Sequence, residues 1–291
     1  MNIKNILLTI AVTVGSIATG HAELPLPAVP DSLRVPQARA DYIITHFWDP
    51  AARAGLDSYP REEVEQAFAN FISVFPIATD EARQQAMSTL IARAAGSPLS
   101  YTFITEIAEK YLYDADSPLV SEDYFILFLR GIIDSPTINR AAKVRPRMQL
   151  EAALKNRPGM TAADFAYETL DGHQATLHTT PANDGSDFLL IFFDPDCDHC
   201  LEVMGRITAD ATIGARVADG SLTILAIYSG EERELWQTVG DSLPSQWIVG
   251  YDDCSILENG TYVIRNYPTL YLLDSNKRVT AKELSVDNLL K

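Results

Sequence analysis

Three cysteines are all that 291 residues carry. That is too few for a disulfide-built scaffold, so a hydrophobic core must hold the fold. Basic residues are also scarce: 23 Lys and Arg stand against 39 Asp and Glu, a formal net charge of −16. A surface this acidic repels phosphate backbones and argues against a nucleic-acid partner. No run of about 18 apolar residues occurs, so no membrane span is expected. What remains is ordinary globular material, 47% hydrophobic and 21% charged. The length suits one large domain or two of usual size.

The first 22 residues read as an address. Lys4 precedes an apolar stretch from Ile6 to Ala18, and Gly20-His21-Ala22 supplies small residues around a cleavage site. A cleaved signal peptide is expected, with the mature chain starting near Glu23. No Cys follows the apolar stretch, so a lipid anchor is not expected. The expected location is therefore periplasmic, where disulfides form and persist.

Two grammars follow. From Pro30 to Lys155 apolar residues recur at helical spacing. Helices are expected over 39–48, 61–75, 80–95 with Asp80 as N-cap, 100–113, 121–134 and 146–155. Trp48, Tyr111, Tyr124 and Phe128 fall at core positions of this pattern. Asn156-Arg-Pro-Gly-Met160 reads as a linker. Beyond it, Phe165–Leu170 and Ala175–His178 around Asp171-Gly172 read as a hairpin. Phe188–Phe193, Leu222–Tyr228 and Thr269–Leu273 read as buried strands, separated by helices over 201–213 and 231–239. Alternating strands and helices imply a mixed α/β sheet with a parallel centre. The expected organisation is two-domain. An all-α helical domain spans 23–155, residues 156–160 link it, and an α/β domain that opens with a β-hairpin spans 161–291. Residues 156–291 hold nine basic and 21 acidic side chains, so the α/β half is the acidic one.

Chemistry concentrates at Cys197-Asp198-His199-Cys200, between a buried strand and a helix. A thiol at a helix N-terminus meets free N–H groups and the positive dipole end, which favour thiolate. Two intervening residues let the second sulfur attack a mixed disulfide made on the first. Cys197 is then the nucleophile and Cys200 the resolving thiol. Other uses stay open. A zinc site would need Cys254 and a histidine, and no second spaced pair exists. A structural disulfide at an exposed helix start is a poor staple. A peroxidatic cysteine would want Thr where Asp194 stands. Cys254 is expected to be a buried, inert thiol, with a regulatory third thiol as the alternative.

Phe193-Asp-Pro-Asp-Cys-Asp-His-Cys200 and Tyr267-Pro-Thr-Leu-Tyr-Leu-Leu-Asp274 resemble thioredoxin-like thiol–disulfide oxidoreductases of the periplasmic TlpA/ResA kind. The likeness covers about residues 157–291. Arg39–Asp49 and Tyr111–Leu119 resemble the helical domain of unknown function that precedes such domains in Bacteroidota envelope proteins. The resemblance implies a thioredoxin-like fold and a cis Pro268 facing the cysteines. It also implies a partner groove at Tyr267, Pro268 and Thr269, protein disulfides as substrates and a membrane electron donor. No metal or organic cofactor is implied, since the cysteines hold the electrons. Departures are Asp196 for a frequent Trp, Ile191 for a buried Asp, and Val203 for a Glu, with Glu202 one position short.

Redox direction depends on the turn. A cationic His199 would favour the reduced pair, whereas Asp194, Asp196 and Asp198 would favour the disulfide. Three carboxylates against one largely neutral imidazole point to a reductant or isomerase partner; the alternative is that these Asp side chains are solvated and screened. The competing expectation is a non-catalytic envelope binding or scaffold protein on a thioredoxin-fold platform.

Overall fold

The computed structural model describes Leu24–Leu290. The expected signal peptide, residues 1–22, lies outside the described residues. Among the described residues no helix is long and apolar enough to cross a membrane. The chain forms two compact units, one ending at Asn139 and one beginning at Arg140.

The first unit is helical, with principal helices Pro36–His46, Arg61–Val74, Asp80–Ala94, Pro98–Ala108 and Glu122–Asp134. Their apolar stripes meet in an aromatic core. Trp48, Phe68, Phe71, Phe75, Phe125 and Phe128 are buried, and the Phe71 and Phe75 rings pack edge-on at 4.8 Å. Of the four aromatics assigned to the core, Tyr111 and Tyr124 are only half-buried. The Tyr111 hydroxyl donates to Glu65 at the rim.

Two local expectations are corrected. Thr79, not Asp80, caps its helix, accepting from the Ala82 N–H at 3.2 Å. The stretch expected as one helix over 100–113 ends in a π-helical turn, Glu109–Tyr113, where the Asp114 N–H donates to Glu109 O. The segment 156–160 is hydrogen-bonded within the second unit. Buried Asn156 donates to Thr261 O and accepts from the Ala163 N–H. Gly159 and Met160 exchange backbone hydrogen bonds with Val279. The preceding helix, Val144–Ala153, lies in the second unit.

The second unit is a seven-stranded mixed sheet. Its strands are β1 (Ala166–Thr169), β2 (Gln174–Thr176), β3 (Asp187–Phe192), β4 (Leu222–Ser229), β5 (Ile248–Asp252), β6 (Thr269–Asp274) and β7 (Val279–Lys282). Their order is β2-β1-β5-β4-β3-β6-β7. Only β5, β4 and β3 run parallel; β6 pairs antiparallel with β3, and the β1–β2 hairpin adds to β5.

The apolar run in β3 reflects burial on both faces. Leu189, Ile191 and Phe193 enter one cluster, with Cys200, Met204 and Trp236. Phe188, Leu190 and Phe192 enter the other, with Tyr167, Tyr262 and Tyr271. The period of two along an extended chain sends alternate side chains to opposite faces.

Two elements differ from expectation in this unit. β5 was not foreseen. At its centre Gly250 sits where an added Cβ would lie 2.4 Å from Ile227 Cδ1 and 2.5 Å from Tyr167 Cδ2. The gap in side-chain pattern is thus a close approach inside the sheet. The helix expected over 201–213 is two helices, Asp198–Ala209 and Ala211–Ala218. Asp210 breaks them by capping the second, its carboxylate accepting from the Thr212 and Ile213 N–H groups.

Candidate functional site

Because β3, β4 and β5 are parallel, their C-terminal ends share one edge of the sheet. β6 runs the other way, so its N-terminal end reaches that edge too, with Thr269 opposite Phe192. Cys197, Cys200, Tyr267 and Pro268 are brought together there.

After β3 the Phe193 N–H still donates to Ile227 O, and the chain then turns. Asp194 organises the turn. Its carboxylate accepts from the Asp196 N–H at 2.9 Å, and its carbonyl accepts from the Cys197 N–H at 3.2 Å. Cys197 becomes the N-cap of the helix Asp198–Ala209. Its sulfur accepts from the Cys200 N–H at 3.3 Å, the role an oxygen usually plays at this position. It lies 3.9 Å from Tyr267 O.

The two thiols differ in setting. Cys197 is half-buried at the mouth, whereas Cys200 has no exposed surface. The Asp194 N–H donates to the Cys200 sulfur at 3.5 Å. Burial, reinforced by the neighbouring Cys197 sulfur and the Asp194 carboxylate, pushes the Cys200 thiol up to about 12. Ile191, where thioredoxins carry a buried Asp, belongs to the same apolar cluster as Cys200. The layer around the inner thiol is therefore apolar at that point.

The Tyr267–Pro268 peptide bond is cis. Thr269 is buried, and its hydroxyl donates to Asn266 O. Burial and the charge of Asp194 push the Tyr267 phenol up to about 12. Asp196, Asp198 and His199 are exposed. His199 Nδ1 lies 3.7 Å from the Glu202 carboxylate, one turn along the helix. Its ring is thus engaged on the helix surface by Glu202.

Tyr228, near the end of β4, was missed by sequence reasoning. It is buried with its ring 6.3 Å from that of Phe193, and its hydroxyl accepts from the Glu232 N–H. Burial, Asp194 and Glu232 raise its phenol. The available signal was its place near the end of a parallel strand beside the cysteine strand.

Cys254 corrects a further expectation. It is half-buried rather than buried, because it starts a four-residue helix at the same sheet edge in a left-handed conformation (φ 60°). Burial and then Glu231, Asp253, Glu258 and Asp252 raise its thiol. Among the described residues, no group of three or more His, Cys, Asp or Glu side chains is arranged to hold a metal ion.

Comparison with known proteins bears on the family and the fold. Residues 5–156 match a family described as a domain of unknown function, DUF5106. A thioredoxin-like protein from Bacteroides caccae is 31% identical, with 94% of this chain and 97% of that one covered and a TM-score of 0.83. A conserved protein of unknown function from Bacteroides fragilis is 37% identical over 46% of this chain and 96% of its own, with a TM-score of 0.43. The thioredoxin domain of a thiol-disulfide oxidoreductase from Bacteroides vulgatus is 22% identical over 46% of this chain and 93% of its own, with a TM-score of 0.40. No curated protein matches the chain. The chain belongs to the DUF5106 family and joins that helical domain to a thioredoxin-like domain.

Proposed function

We propose that the protein is an extracytoplasmic thiol–disulfide oxidoreductase that reduces disulfides in envelope proteins through Cys197 and Cys200. The observation that carries this reading is the asymmetry of the pair. Cys197 is accessible at the helix mouth, with the Cys200 N–H on its sulfur and Tyr267 O beside it, while Cys200 is sealed beneath.

The chemistry follows from that placement. In the reduced protein the Cys197 thiolate attacks one sulfur of a substrate disulfide. The substrate S–S bond breaks, a mixed disulfide forms, and one substrate sulfur leaves as thiolate. Negative charge on the Cys197 sulfur is met by the Cys200 N–H and the positive helix end. Cys200 then loses its proton and attacks the Cys197 sulfur, which releases the second substrate thiolate. Two electrons have passed to the substrate, and the Cys197–Cys200 disulfide remains. A burial-raised Cys200 stays protonated until this step, which leaves Cys197 as the entry point.

The reductant direction is supported by the charges around the turn. Asp194 opposes charge on the Cys200 sulfur and so favours the disulfide form of the pair, and the exposed Asp196 and Asp198 on the same turn add negative charge of the same sense. His199, directed to Glu202, offsets them little. Secretion is supported by the N-terminal pattern at residues 1–22. A membrane electron donor would return the pair to the dithiol form, and the cysteines need no metal or organic cofactor.

The test is insulin reduction with dithiothreitol as electron source. Activity is expected in the native protein and is expected to vanish in Cys197→Ser. Equal turnover by Cys197→Ser would overturn the reading in favour of the scaffold alternative.

A further inference from the structure

We infer that the face carrying Cys197 selects disulfides set in basic, Lys- or Arg-rich surroundings. This rests on the thiol-exchange reading. The accessible thiol beside Tyr267 O makes the face a site, and the surrounding charge decides what it takes.

Four segments meet at the edge around Cys197: residues 188–205, 222–232, 248–264 and the β6 entry 265–269, whose Arg265 is paired with Glu283, as Arg206 just beyond the first segment is with Asp287. The first three contain nine carboxylates, one histidine and no lysine or arginine. Topology gathers these three, because each contains one of the parallel strands β3, β4 and β5 and its following turn. The Gly230 N–H donates to Asp252 O, which ties the second turn to the third. Asp196, Asp198 and Glu202 are exposed on the cysteine side, Glu231 and Glu232 on the β4 turn, and Asp253 and Glu258 on the β5 turn.

Asp194 and four exposed carboxylates act on neighbouring groups at this edge. Asp194 and Glu232 both raise the Tyr228 phenol, Asp194 raises Tyr267, and Glu231, Asp253 and Glu258 raise Cys254. The one arginine that opens the neighbouring helix, Arg233, is paired with Glu168 and lies 5.0 Å over the Tyr251 ring. Asp252 is the exception among the nine. It is buried and satisfied by Ser229, Ser255 and the Ile256 N–H, so it holds the turn rather than a partner.

Two leucines within these segments are exposed, Leu201 and Leu257. An apolar contact rimmed by charge of one sign is the anatomy of a protein-binding patch with a complementary partner. A single-sign field of this kind speeds encounter with opposite charge by roughly 10- to 1,000-fold and is screened by salt.

The experiment uses the reduced protein and three disulfide-linked peptide dimers, Gly-X-Cys-X-Gly with X as Lys, Ser or Glu. The rate of Cys197–Cys200 oxidation is read by quenched mass-tagging. Each rate is divided by that of dithiothreitol with the same peptide, which removes intrinsic reactivity. At about 20 mM salt the Lys peptide should react at least ~10-fold faster than the Glu peptide, and at about 500 mM within ~3-fold. The combined variant Glu231→Gln/Asp253→Asn/Glu258→Gln should lower the Lys-to-Ser rate ratio. Equal normalised rates, a preference for the Glu peptide, or a ratio indifferent to salt would overturn the inference while leaving thiol exchange intact. Failure of all three peptides to oxidise the pair would remove thiol exchange itself, and the inference with it.

Discussion

Alkylation of Cys200 offers a quantitative handle on the inner thiol. The informative protein is Cys197→Ala in a Cys254→Ser background, which leaves one cysteine. Burial is the leading cause of the shift that takes Cys200 from 9.0 to about 12, and neither substitution removes it. Only the thiolate reacts with iodoacetamide. At pH 8 an ordinary thiol is about 10% ionised, and one at 12 about 0.01%. Cys197→Ala removes the smaller part of the shift that Cys197 supplies, so the folded protein should label on the order of 100- to 1,000-fold more slowly than the same protein in denaturant. The absence of exposed surface adds to this factor. The logarithm of the rate should climb with unit slope from pH 7 to 10 and show no plateau. Iodoacetamide mass labelling over that range reads the slope directly. A plateau below pH 10, or labelling within tenfold of the denatured rate, would refute the claim that burial protects this thiol.

Three further outcomes are expected. Folded Cys200 stays protonated to about pH 12 while the unfolded thiol ionises from pH 9.0, so the unfolded state gains as pH rises through that window. The reduced protein should lose about 4 kcal/mol across it from this group, read as a denaturant-midpoint difference from Cys200→Ala that shrinks with pH; a constant difference would contradict it. Gly250→Ala should cost about 1–3 kcal/mol by thermal melting, since its Cβ collides with Ile227 and Tyr167; a neutral result would show that β1 and β4 can yield there. Asp198→Asn should make the pair more oxidising by on the order of 10 mV, the scale of one exposed charge. A shift of opposite sign would contradict the role given to the carboxylates.

The residues differ in how openly they declare their structure. β3 and β4 were legible because burial on both faces demands unbroken apolar runs. The hairpin was legible because Asp171-Gly172 supplies a glycine at φ 82°. β5 was not, because its central Gly250 answers to Tyr167 on a strand about 80 residues earlier, a pairing no local pattern encodes. Asp210 could have been read as a cap, but the apolar spacing around it continues through the break. The cysteine pair and Tyr267-Pro268 were visible as short motifs with a strand or helix beside them. Tyr228 and the exposure of Cys254 depend on which strands end at one edge, and only the sheet order supplies that.

The reduction potential of the Cys197–Cys200 pair tests the central claim most directly. It is measured by equilibration in glutathione buffers with mass-tag readout. A value near roughly −270 mV is expected for a reductant. A value near roughly −120 mV, that of a strong disulfide-forming oxidant, would contradict the reductant reading. A pair that never cycles would contradict thiol exchange altogether.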